Sequence, residues 1–307
     1  YEVGVELSKY IKVVRDSIFE IGLTPNRADA MSHIGVAQDL YAYCLLHHSN
    51  ENISLRLPDL KDISVENKSK PIDIIIEDSM KCPRYSGVLI EDVNIKPSPD
   101  WLKEKLEGLG VKTINNIVDI TNFVLWEYGQ PLHAFDADKI KGGKVVVKCL
   151  DNGSVFTTLD GEDRELSSDD LMICDANDGM CIAGVYGGID SGVSESTQRI
   201  FLESALFESS SIRRTSQRHG LRTDAAVRFE KGGDAGVTIS ALKRAANLIQ
   251  ELGGGVVVSD IKDVYPSKIS KNKIILKRSY LYKMLGQKIE DDKIELILKG
   301  LDFEIIE

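Results

Sequence analysis

The sequence predicts an α+β fold: short β-branched runs and amphipathic helical patterns follow one another in irregular order, without the strand-helix alternation of a doubly wound sheet. Two local signals support this. Asp160-Gly161 marks a hairpin turn between strand-like runs, and one long helical pattern, AGVTISALKRAANLIQELGG, precedes a further strand. At 307 residues the chain is long enough for two domains of common size, or one large domain with appendages.

Taken in order, Thr24-Pro25-Asn26 opens a segment whose apolar residues Met31, Ile34, Leu40, Cys44 and Leu45 suit an amphipathic helix to about His47. The polar connection from Ser49 to Lys70 marks a first boundary, so residues 1–70 are expected to form an N-terminal strand-helix segment and linker. IDIIIED and YSGVLIEDV then read as strands. In SPDWLKEKLEGLG, Ser98 is placed to cap a helix, Pro99 fits its first turn and Gly110 ends it. NNIVDITNFVLWEYG reads as a helix leading into the loop GQPLHAFD. The strand KVVVKCL, the hairpin, the strands LMICD, CIAGVYGG and RIFLESALF, the long helix and the strand VVVSDIKDVY complete a mixed-sheet domain over 71–266, with helices packed on it. Beyond Pro266 the pattern is strand, helix, helix, strand, read as a truncated C-terminal α/β domain over 267–307.

Composition narrows the function. A hydrophobic content of 42% with 28% charged residues is ordinary for a globular protein. No apolar run approaches the roughly 20 residues that span a bilayer, and the N-terminus lacks a signal-peptide pattern, so a cytoplasmic protein without membrane contact is expected. Five scattered cysteines, none in a CxxC pair, suggest reduced thiols and neither a disulfide framework nor a zinc cluster. The net charge of −10 opposes broad nucleic-acid binding, so any RNA contact must be local. No GxSxG or HExxH motif is present.

Four features could carry chemistry. His133, in a loop fixed by Gly129 and Pro131, either makes structural hydrogen bonds or positions a water, with Thr121 and Asn122 as neighbours in the pattern. Glu203 interrupts the apolar run RIFLESALF on the face of Phe201 and Ala205; it is either half of a buried ion pair with a nearby arginine or an acceptor for a ligand hydroxyl. Gly187-Gly188 is a positive-φ turn or a place where ligand approaches backbone, and Ala225 is close packing or room for a ring. Arg213, Arg214, Arg218 and Arg222 concentrate positive charge in an acidic chain, either as a solvated face or as phosphate contacts.

The stretches LTPNRADAMSHIGVAQDL, DITNFVLWEYGQPLHAFD, IAGVYGGIDSGVSESTQRIFLESALF and LESALFESSSIRRTSQRHGLRTDAAVRFEKG, in this order, resemble the bacterial phenylalanyl-tRNA synthetase β subunit. The resemblance covers nearly the whole chain. It implies a fragment that begins and ends inside its parent and carries the fused third and fourth domains, which hydrolyse tyrosine misattached to tRNA(Phe). It implies that His133, Asn122 and Thr121 serve catalysis, and that Glu203, Gly187, Thr223 and Ala225 bind the tyrosyl group. Arg213, Arg214, Arg218 and Arg222 become candidates for contact with the tRNA acceptor end. It further implies an α subunit partner in an α2β2 parent, with ATP and Mg²⁺ used by that parent and no cofactor in this fragment. Gln38, Arg222 and Ile189-Asp190 depart from the family pattern, and Arg222 stands where histidine is common. A noncatalytic tRNA-binding or scaffold segment, and a free-standing hydrolase of small aromatic esters or amides, are the rival readings.

Overall fold

A computed structural model describes residues 3–10, 16–48, 51–65 and 69–306, so part of the connection from Ser49 to Lys70 lies outside the described residues. Two five-stranded sheets and a hairpin form the centre of the molecule. The first sheet runs β1 (Asp73–Ile76), β4 (Lys144–Cys149), β7 (Leu171–Cys174), β8 (Gly179–Ile182) and β9 (Tyr186–Gly187). Only its β1–β4 pair is parallel. The second sheet has β10 (Ile200–Leu206) between β2 (Arg84–Glu91) and β3 (Leu132–Asp136). The outer edge of β2 is shared by β11 (Val256–Val257) and β12 (Lys262–Val264). β5 (Val155–Thr157) and β6 (Asp163–Glu165) form the expected hairpin.

Side-chain alternation along β10 divides the core in two. Ile200 and Leu202 join Val88, Ile90 and Ala134 against the helices α2 (Asp100–Gly108), α3 (Asn116–Tyr128) and α6 (Val237–Gly253). Phe201 and Ala205, on the opposite face, join Tyr85, Leu89 and Phe135 against the first sheet. The central sheet is therefore covered on both faces, the helices on one and the other sheet on the other. Two short helices, α4 (Ser209–His219) and α5 (Asp224–Lys231), follow β10, and α5 is capped by Thr223.

At the chain's two ends, α1 (His33–His47) packs against α8 (Asp291–Gly300), with α7 (Arg278–Leu285) between them in sequence from the long core domain. Ser32 caps α1 by accepting from the Gly35 N–H at 2.9 Å.

Several local expectations give way to longer-range bonding. Ser98 does not cap α2, whose N-cap position falls to Pro99; the Ser98 hydroxyl donates to the buried Asp119 carboxylate at 2.6 Å. GQPLHAFD is not a loop throughout, because Leu132–Asp136 pairs along β10 as β3. CIAGVYGG divides into β8 and β9 around Gly184, whose φ of 66° turns the chain back on itself. VVVSDIKDVY divides where the Ser259 hydroxyl, in place of a backbone carbonyl, accepts the Leu89 N–H at 3.0 Å. No strand forms before β1 or after α6 beyond β12 among the described residues: Phe19, Ile274, Ile275 and Phe303 are exposed, and an extended segment without a neighbouring strand has nothing to pair with.

Candidate functional site

On β10, Glu203 stands opposite His133 of β3 on one side and Gly87 of β2 on the other. Its side chain faces the first sheet, where apolar groups surround it, and the residue is only 5% exposed. Oε2 is sealed from solvent and has no hydrogen-bond partner, and no arginine pairs with the carboxyl among the described residues. The buried ion pair therefore does not form. Burial pushes the Glu203 pKa up to about 8; the Tyr85 hydroxyl pulls in the other direction but closes no hydrogen bond.

His133 is positioned by strand pairing and by its own neighbour: its ring meets that of Phe135 edge-on, with centroids 4.4 Å apart. Part of the residue reaches the surface, but Nε2 is sealed and unpartnered. Burial lowers its pKa to about 4. At neutral pH the carboxyl thus keeps its proton while the imidazole is neutral, and the site carries little net charge.

A cavity of about 80 Å³ opens between these groups, lined among others by Pro131, His133, Gly187, Glu203, Ala225 and Phe229. The β8–β9 hairpin brings Gly187 to it. The positive φ falls on Gly184, not on the Gly187-Gly188 pair. A Cβ on Gly187 would stand 3.4 Å from His133 Cε1, so the bare backbone keeps that side of the cavity open. Gly188 serves packing: a Cβ there would lie 2.6 Å from Phe156 Cζ and 2.7 Å from the Met180 carbonyl oxygen.

Ala225 reaches the cavity from the first turn of α5. Thr223 does not line it; its hydroxyl accepts from the Ala226 N–H at 3.1 Å and donates to the Val185 carbonyl at 2.9 Å, fastening α5 to the hairpin. Thr121 and Asn122 also lie outside the lining. They sit on α3, which packs on the other face of the central sheet, and the Thr121 hydroxyl donates back to the Val118 carbonyl of its own helix at 2.7 Å. The structure therefore brings together His133, Glu203, Gly187 and Ala225, with Thr223 one bond behind. Sequence reasoning missed Cys181, Val185, Tyr186 and Phe229. Only the hairpin and α5 bring them near, and the one available cue was the shortness of the apolar runs around Gly184.

The arginines divide as well. Arg213, Arg214 and Arg222 are exposed. Arg218 is engaged by Asp170, which is fully buried. Asp170 also accepts from Thr215, His219 and the Ser167 N–H, each at 2.8 Å. Arg228 is buried over the Trp126 ring, 4.4 Å from its centroid. A larger, open groove of about 590 Å³, with Lys139, Lys141, Lys148, Asp175 and Asp178 on its walls, includes Gly188 but none of the other expected site residues.

Among the described residues no cluster of three or more His, Cys, Asp or Glu is arranged to hold a metal ion. No described helix is long and apolar enough to cross a membrane.

The B3/4 domain matches residues 81–254, more than half of the chain and all of the cavity-lining elements. A phenylalanine-tRNA ligase beta subunit of Bacteroides fragilis is 46% identical over 304 residues, 99% of this chain and 37% of that protein. The subunit of the same name from Geobacter metallireducens is 44% identical over 292 residues, 95% of this chain and 36% of its own length. The chain thus spans little more than a third of these relatives. An N-terminal fragment of the phenylalanyl-tRNA synthetase beta subunit from Pyrococcus horikoshii aligns with 90% of this chain and 74% of its own at 15% identity and a TM-score of 0.44, too weak a likeness to bear on the fold. The chain belongs to the B3/4 domain family and is similar along almost its whole length to one stretch of phenylalanine-tRNA ligase beta subunits.

Proposed function

We propose that this chain is the editing segment of a phenylalanine-tRNA ligase beta subunit and that its cavity hydrolyses tyrosine esterified to tRNA(Phe). The observation that carries the reading is the sealed, unpartnered Glu203 carboxyl opposite His133, beside a cavity kept open by Gly187 and Ala225. A synthetic pocket for phenylalanine cannot strongly reject a ring that only adds a hydroxyl, gaining about a hundredfold at most. A second pocket that requires the hydroxyl sieves on the opposite criterion: phenylalanine would leave the buried carboxyl unpaired.

The reaction is ester hydrolysis. The oxygen of water bonds to the carbonyl carbon, the bond to the terminal ribose breaks, and a proton passes to the ribose oxygen. A base with a pKa near the working pH removes a proton best, so the depressed basicity of His133 suits orienting the water more than deprotonating it. A cavity of about 150 Å³ holds a benzene ring. The present 80 Å³ must therefore widen as the tyrosyl ring enters.

Exposed Arg213, Arg214 and Arg222 are the groups in this reading that meet the phosphates of the tRNA acceptor end, while Arg218 is held by Asp170. An α subunit completes an α2β2 parent in the cytoplasm, and ATP and Mg²⁺ serve aminoacylation outside this segment. The name of the Bacteroides fragilis relative, a phenylalanine-tRNA ligase beta subunit, supports the ligase part of the reading.

The test is deacylation by the intact parent enzyme. Tyr-tRNA(Phe) is expected to be hydrolysed on the order of a hundredfold or more faster than Phe-tRNA(Phe). Ala225→Trp should overfill the cavity and abolish that activity while the protein still folds, at a cost of about 1 to 3 kcal/mol. Equal hydrolysis of the two esters would overturn the reading, and hydrolysis of both at only the spontaneous rate would favour a noncatalytic scaffold.

A further inference from the structure

Among the described residues, seven buried side-chain polar atoms lack a hydrogen-bond partner, and three of them belong to one place: Glu203 Oε2, His133 Nε2 and the Tyr85 hydroxyl. They come from three adjacent strands, β10, β3 and β2, and from the same face. The first two line the cavity; Tyr85 does not. It is fully buried, paired in register with Ala205, two residues along from Glu203. The β2 residue directly opposite Glu203 is Gly87, and the Phe201 ring takes the space over it. In place of Tyr85 a phenylalanine would fill the same space without stranding a hydroxyl, and a stranded buried donor costs about 1 to 3 kcal/mol. The hydroxyl already pulls the Glu203 pKa down without closing a hydrogen bond, and a tyrosine here is explained if that bond closes when the site is occupied.

We propose that Tyr85 is a specificity-determining positioning residue: its hydroxyl donates to one oxygen of Glu203, holding the carboxylate form so that the other oxygen accepts from a phenolic ligand. The inference rests on reading the cavity as a phenol-selecting site. The titratable groups facing Glu203 are Tyr85 and Cys82 near the start of β2, Cys181 on β8 and His133 on β3. Burial raises the first three and lowers the last, so all four are uncharged at neutral pH. With no cation facing it, the carboxylate is supported by O–H donors alone, and Tyr85 is the one the protein supplies. Two donors, one from Tyr85 and one from the ligand, favour the ionised acid over the protonated one.

The test uses Tyr85→Phe, which keeps the ring and its packing. In the intact beta subunit, infrared titration of the Glu203 carboxyl stretch, identified by its loss in Glu203→Gln, should show a higher midpoint in Tyr85→Phe than in the wild type. In the intact enzyme, the ratio of Tyr-tRNA(Phe) to Phe-tRNA(Phe) hydrolysis should fall roughly three- to tenfold, as loss of one hydrogen bond to a charged acceptor predicts. An unchanged midpoint overturns the Tyr85–Glu203 bond, and a shifted midpoint with an unchanged ratio overturns the specificity role. A wild-type enzyme without preference for the tyrosyl ester overturns the editing reading and with it the specificity role. The titration, which needs no substrate, separately upholds or overturns the bond.

Discussion

Asp170 and Glu203 are both carboxylates hidden from solvent, at 0% and 5% exposure, yet their surroundings are opposite. Asp170 accepts from Thr215, Arg218, His219 and the Ser167 N–H, and ties the start of β7 to α4. Burial raises its pKa, but these donors together more than offset that and hold it below the ordinary value. Glu203 has the burial without the donors, and its pKa is raised to about 8. Folding uses a buried acid only when it supplies partners. A buried acid left without them destabilises the fold and is suited to a ligand that brings a donor.

Removing each acid should separate the two cases. Asp170→Ala is expected to cost about 2 to 4 kcal/mol, because the Thr215 hydroxyl, the His219 imidazole and the Ser167 N–H lose their buried acceptor, while exposed Arg218 turns to solvent. Chemical denaturation at neutral pH measures it; a loss under about 1 kcal/mol would mean that the cluster is not structural. The pH dependence has a definite sign. The depressed Asp170 contributes stability above the unfolded value of 3.8, lost as pH falls through its lower folded value.

Glu203 should behave in the reverse sense. Its unfolded form ionises near 4.5 while the folded form keeps its proton to about 8, so stability declines across that interval as pH rises. Glu203→Gln is therefore expected to be more stable than the wild type at pH 8, by roughly 2 to 4 kcal/mol, with the two converging near pH 4.5. Melts of both proteins across this range decide it, and a variant less stable at pH 8 would show that the carboxyl has a partner in the fold.

The smallest effects concern the adjacent glycines. Gly188→Ala forces a methyl against Phe156 and the Met180 carbonyl and should cost about 1 to 3 kcal/mol. Gly187→Ala meets only an ordinary contact with His133 and should cost under about 1 kcal/mol, while narrowing the cavity and slowing hydrolysis of the tyrosyl ester. Equal stability losses would erase the distinction between a packing glycine and a site glycine.

Much of the fold was legible from the chain itself. The helical pattern ending near His47, the helices NNIVDITNFVLWEYG and AGVTISALKRAANLIQELGG, the Asp160-Gly161 turn and the strands LMICD and RIFLESALF all form, because periodicity, caps and turn residues act within a few positions. Glu203 was visible for the same reason: one charge in an apolar strand contradicts its immediate neighbours.

What the tertiary structure decided is which distant residues meet. His133 belongs to a strand only because β10, some seventy positions later, pairs with it, and a strand's hydrogen bonds lie outside its own segment. The same nonlocality removed the ion pair from Glu203, gave Arg218 to Asp170, put Thr223 behind the cavity, and left Thr121 and Asn122 outside its lining. It also placed the Tyr85 hydroxyl on the face of Glu203. Local sequence determines which residues are able to form a strand or helix; register and burial, set by contacts across the whole domain, determine which polar groups are left without a partner.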